Sequence, residues 1–133
     1  MERRMQPTEP NLLIADDDRD FRESLSEVFV RRGYQTQLAA DGREALEIVQ
    51  TTEVLHLILL DVHMPRLTGI EALEQIRKNQ EDSLPCILMS AKFDAEIINQ
   101  AEQLDTSSLL SKPFTLRDLT GTVEQILSHA YGW

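Results

Sequence analysis

Short apolar runs that stop at a polar residue alternate, along nearly the whole chain, with segments whose apolar residues recur at the helical period. Leu12 to Ala15 ends at Asp16. Phe21, Leu25, Val28 and Phe29 follow at helical spacing, closed by Arg31, Arg32 and a stopping Gly33. Tyr34 to Ala40 supplies a second strand, after which Asp41 and Glu44 stand as N-cap and answering acid for a helix carrying Ala45, Leu46, Ile48 and Val49. Leu55 to Leu60 is the clearest strand and ends at Asp61. Pro65 and Gly69 mark the loop beyond it, and Thr68 with Glu71 caps a helix carrying Ile70, Leu73 and Ile76. Cys86 to Met89 ends at Ser90, a weaker helix spans Ala95 to Gln103, and Ser108 to Ser111 runs into Lys112. Thr115 and Asp118 cap a last helix with Leu116, Leu119, Val123, Ile126 and Leu127 on its apolar side.

Strands that are apolar at successive positions are buried on both faces, which is the mark of a parallel sheet covered by helices on each side. Five β-α units in a row therefore predict an α/β fold: a doubly wound, five-stranded parallel sheet with five helices, its crossovers right-handed. Leu, Ile, Val and Phe together number 38 of 133 residues, enough for one core and one domain. Residues 1–10 are polar, hold two prolines and lack periodicity, so they read as a flexible extension ahead of a domain over residues 11–133. The net charge of −10 argues against direct nucleic-acid binding. The run Leu57 to Leu60 is far short of the roughly 18 residues of a membrane span. The single cysteine, Cys86, cannot form an internal disulfide, and Met1 to Pro10 lacks a signal-like apolar stretch, so a reducing, cytoplasmic location is expected.

In sheets of this kind ligands bind outside the carboxyl ends of the strands. Asp16, Asp17, Asp61, Ser90 and Lys112 all fall there. Three carboxylates on one rim repel each other and call for a cation. Hard oxygen ligands with room for water suit Mg2+ shared with a phosphate. Lys112 is a point charge suited to a phosphoryl oxygen, Ser90 offers a hydroxyl, and an Asp beside a metal is a nucleophile toward phosphorus. Each residue alone has an ordinary reading: acids favour helix starts, Asp61 could cap a strand end, and Ser90 and Lys112 suit turns. Their placement at the ends of strands one, three, four and five is what points to phosphoryl transfer onto a carboxylate.

LLIADDD (Leu12 to Asp18), LLDVHMP (Leu59 to Pro65), ILMSA (Ile87 to Ala91) and SKPF (Ser111 to Phe114) resemble, in that order and spacing, the receiver domain of two-component response regulators, chemotaxis regulators included. The resemblance covers nearly the whole chain and implies a flavodoxin-like strand order 2-1-3-4-5. It implies Asp61 as phosphoacceptor, with Asp16, Asp17, Asp61 and the main-chain carbonyl of His63 around Mg2+, Asp17 directly and Asp16 partly through water. Asp18 is left as a helix cap. Ser90 corresponds to the switch hydroxyl, with the Ala91 amide beside it, Lys112 to the phosphate-binding lysine, and Pro113 to a proline preceded by a cis peptide bond. The implied phosphodonor is a phosphohistidine on a sensor histidine kinase or phosphotransfer protein, and the output is a downstream protein partner.

The chain departs from the family pattern where an aromatic residue usually precedes the lysine by three positions: Leu109 stands there, on the expected output face. Thr68 stands where Asp or Asn is common, and Asp105 and Thr106 replace a common Gly-Ala. Switching is therefore expected through ordering of residues 90–94 and repacking near Leu109. Two alternatives are a haloacid-dehalogenase-like phosphohydrolase, using Asp16 and Asp18 with Ser90 and Lys112, and a degenerate receiver that serves only as a docking surface. The first leaves Asp61 without a role and finds only Asp118 past Lys112 where an acidic pair is needed. Cys86 reads as a buried strand thiol, His56 as an exposed or edge residue, and Trp133 as free to dock or dangle.

Overall fold

A computed structural model describes residues 9–79 and 84–133. The elements are β1 (Asn11–Ala15), α1 (Arg19–Arg31), β2 (Gln35–Ala39), α2 (Gly42–Thr51), β3 (Leu57–Asp61), α3 (Gly69–Asn79), β4 (Cys86–Ser90), α4 (Ala95–Gln103), β5 (Ser108–Ser111) and α5 (Leu116–Tyr131). All strand pairs are parallel and the order is β2-β1-β3-β4-β5. This is the doubly wound sheet that the alternation predicts, in the flavodoxin-like order that the resemblance implies. Of the extension expected over residues 1–10, residues 1–8 lie outside the described residues. Glu9 and Pro10 already lie along β2, accepting hydrogen bonds from the Gln35 side chain at 2.6 Å and the Gln35 amide at 2.9 Å. Two strands are shorter than the sequence suggests: Tyr34 and Ala40 fall outside β2, and Leu55 and His56 precede β3.

The strands divide their side chains between two apolar layers with a period of two. Leu12, Ile14, Leu57, Leu59, Ile87 and Met89 pack with Leu25 and Phe29 of α1 and Leu119, Val123 and Leu127 of α5. Leu13, Ala15, Ile58, Leu60, Cys86 and Leu88 pack with residues of α2, α3 and α4. Two helices thus cover one face and three the other. The expected caps form: Asp18 on α1, the reciprocal Thr68 and Glu71 pair on α3, and Thr115 on α5. Asp41 accepts from the Glu44 amide at 2.8 Å, and Glu44 reaches back to the Ala40 amide at 2.7 Å. Gly69 starts α3 directly against the backbone of β3, where a Cβ would collide with the Asp61 carbonyl oxygen. The glycine lets that helix begin immediately below the strand end that carries Asp61.

Candidate functional site

Sheet register assembles the rim. Ala15 pairs with Leu60, so the next residues, Asp16 and Asp61, come level on adjacent strands. Ser90 pairs with Ser111, and the Lys112 amide donates to the Ser90 carbonyl at 2.8 Å. Side-chain alternation then sorts the groups. Asp16, Asp61 and Lys112 stand two residues beyond Ile14, Leu59 and Leu110, which pack in the layer under α1 and α5. Ser90 stands two beyond Leu88, which packs in the other layer. The charged groups therefore gather above one layer and the hydroxyl lies over the other.

Asp16 is fully buried and Asp61 nearly so, while Asp17 is exposed. Their carboxylate ligand atoms all lie within 4.8 Å of one another. Lys112 Nζ donates to Asp16 Oδ2 at 2.7 Å and lies 3.7 Å from Asp61 Oδ2. The second oxygen of Asp16 accepts from the Asp18 amide at 2.9 Å, and Arg22 donates to the Asp16 carbonyl at 2.6 Å. One ammonium thus serves two buried carboxylates. Asp61 is pushed up to about 6, first by burial and then by the Asp16 charge, with Asp17 adding to the rise. Lys112 and the His63 amide pull the other way. Three hard oxygen donors with one face open to water fit a divalent cation, which would relieve the repulsion that raises Asp61. The buried and exposed members are also distinct in access, since only Asp17 meets solvent freely.

Ser90 is fully buried, and its Oγ donates to the Lys92 carbonyl at 2.8 Å while accepting from the Lys92 amide at 3.1 Å. It is tied into the loop after β4. Ala91 and His63 are exposed in the loops after β4 and β3. The Lys112–Pro113 peptide bond is cis. Leu109 is half-buried on β5 against the layer covered by α2, α3 and α4. The structure thus brings Asp16, Asp17, Asp61 and Lys112 together and leaves Ser90 oriented away from them. The exposed Asp18 carboxylate caps α1, accepting from the Phe21 amide at 3.2 Å. Phe21, whose ring lies beneath Lys112 Nζ, carries no sequence signal beyond that of an apolar helix position.

The response regulator receiver domain model matches residues 12–124. The chain belongs to that family. This receiver domain is 35% identical over 121 residues to Response regulator RR06 of Streptococcus pneumoniae serotype 2, covering 91% of this chain and 54% of that protein. It is 36% identical over 116 residues to Sporulation initiation phosphotransferase F of Bacillus subtilis, covering 87% of this chain and 92% of that protein. The Francisella response regulator 1452 receiver domain superposes with a TM-score of 0.81 at 31% identity, covering 90% of this chain and 98% of that one. The chain spans about half the length of RR06 and of the related MprA response regulators. As a receiver domain of two-component signalling it is a phosphoacceptor regulator rather than a classical enzyme. Among the described residues no helix is long and apolar enough to cross a membrane.

Proposed function

We propose that Asp61 accepts a phosphoryl group from a phosphohistidine on a sensor histidine kinase or phosphotransfer protein, and that the modified rim changes the binding of a downstream protein in the cytoplasm. The observation that carries this reading is the buried Asp16–Lys112–Asp61 arrangement, with Lys112 Nζ 2.7 Å from Asp16 Oδ2 and 3.7 Å from Asp61 Oδ2. An Asp61 carboxylate oxygen attacks the phosphorus. An O–P bond forms as the bond from phosphorus to the donor's imidazole nitrogen breaks, and that nitrogen keeps the electron pair and takes a proton from water. Asp16, Asp17, Asp61 and the main-chain carbonyl of His63 would hold Mg2+. The chemistry it would supply there is offset of the carboxylate and phosphoryl charges.

Lys112 exchanges its partners for a phosphoryl oxygen, as a compact ammonium on a flexible stem allows. Ser90 leaves the Lys92 backbone and, with the Ala91 amide, receives another oxygen. With Leu109 in place of an aromatic, the response runs through the loop after β4 and the packing around Leu109. The test is incorporation of acid-labile phosphate from acetyl phosphate with Mg2+. The wild-type chain is expected to label and Asp61→Asn is not; equal labelling of the two would remove the assignment.

A further inference from the structure

Lys112 has three close neighbours, and only two of them are carboxylates. Its Nζ also lies over the ring of Phe21, 4.4 Å from the centroid. Phe21 stands in the first turn of α1, and its amide is held by the Asp18 cap, which fixes where its side chain begins. Its ring meets Phe114 edge-on, with centroids 5.8 Å apart and planes at 64°. The side chain of Lys112 remains 24% exposed, so its ammonium has a route to water. A lysine on such an edge trades ion pairs for hydration unless a further contact holds it. The negative face of an aromatic ring supplies that contact without competing for the hydrogen bonds of the ammonium.

We propose that Phe21 is a positioning residue for phosphoryl transfer: its ring face holds the Lys112 ammonium over Asp16 and Asp61, so the positive charge is in place before a phosphoryl group arrives. The proposal rests on the reading of Asp61 as phosphoacceptor and adds to it a residue of α1. The ammonium acts on charge that develops during transfer, so losing the ring lowers the rate of transfer more than the binding of the donor.

The experiment measures labelling from acetyl phosphate with Mg2+ in the full chain. Phe21→Leu keeps an apolar side chain but removes the ring, and its maximal rate is expected to fall about threefold to tenfold with the half-saturating acetyl phosphate concentration changed by less than about twofold. Phe21→Tyr retains the face and is expected to restore the rate to within about twofold. Phe114→Leu breaks the same aromatic pair but leaves the ring beneath Lys112, and should also stay within about twofold. In parallel, the Lys112 ε-CH2 protons in 13C-lysine-labelled wild-type protein should resonate upfield of the other lysines, and return to the ordinary position in Phe21→Leu. A wild-type rate in Phe21→Leu, an equal loss in Phe114→Leu, or an unshifted Lys112 signal in the wild type each overturns the proposal. If Phe21→Leu does not fold, the wild-type lysine signal decides alone. Failure of the phosphoacceptor reading looks different: no labelling of the wild type, or equal labelling of Asp61→Asn.

Discussion

Asp61 is a carboxylate placed where its charge is unwelcome, raised to about 6 by burial and by Asp16. A folded-state value above the unfolded one means that the native protein holds the extra proton between about pH 4 and 6, so this group's contribution to stability is lost as pH rises through that window. Asp61→Asn removes the penalty. The metal-free variant is expected to be more stable than the wild type by about 1 kcal/mol at pH 7.5, with the gap closing near pH 4, as read by thermal melting. Mg2+ at about 100 times its Kd should stabilise the wild type by about 2.7 kcal/mol. That gain should shrink most in Asp17→Ala, less in Asp16→Ala and little in Asp18→Ala, because Asp18 is occupied with the Phe21 amide. A thermal-shift series in which Asp18→Ala loses the most would displace the metal site from Asp16 and Asp17.

At the scale of elements, the strands and caps are legible in the sequence because their signals are local: an apolar run with a polar stop, or a Thr answered by an acid three residues on. Arg77 is not legible that way. In the last turn of α3 it reads as an ordinary basic residue favoured by the helix dipole, yet its guanidinium donates to the carbonyls of Leu104 at 2.9 Å, Leu84 at 2.7 Å and Asp105 at 3.3 Å. It ties the end of α3 to the entry of β4 and to the turn between α4 and β5, where Asp105 takes a positive φ of 56°. Such a clamp depends on residues 7 to 28 positions away. Arg77→Ala is expected to cost about 2 kcal/mol in urea unfolding, and Arg77→Lys to recover little of it, because an ammonium cannot span three carbonyls in a planar fork. Phe21 escapes notice for the same reason: helical spacing reports that it is apolar but not that the ring lies beneath Lys112. Ser90 is placed at its strand end by sequence, while its engagement with Lys92 depends on the path of the loop.

Across the whole molecule, the two ends of the central strand β3 respond to acid in opposite senses. At the amino end of β3, opposite the end that carries Asp61, His56 is packed with Tyr131 and Trp133, ring centroids 5.5 Å and 4.9 Å away, and those two stack at 4.6 Å. The Tyr131 hydroxyl donates to the His56 carbonyl at 2.7 Å, and His56 Nδ1 accepts from the Asn11 amide at 2.8 Å. His56 is therefore a half-buried anchor rather than an exposed residue, and Trp133 is docked. Burial lowers the His56 pKa, so stability from this end of the sheet is present above about pH 6.5 and is lost as pH falls. In Asp61→Asn the opposing slope is gone, and the melting temperature should fall with acid below about pH 6.5, together with a red shift of Trp133 emission. In His56→Phe, unchanged acid sensitivity would show that the slope arises elsewhere.

The sorting of rim groups between the two layers has a further consequence for how such a chain can drift. From Leu57 to Leu60 every residue of β3 is apolar and buried, so the hydrophobic pattern is nearly the same whichever way the strand is threaded. Which side of the sheet receives the carboxylate is therefore a matter of counting, like a reading frame. One extra leucine between Leu59 and Leu60 would leave β3 greasy from end to end, yet Asp61 would leave the company of Asp16 and Lys112 for the opposite side. Deletions and insertions in the strands are thus far more dangerous to signalling than exchanges among Leu, Ile and Val, and an aligned length is a better guide to function here than an aligned composition.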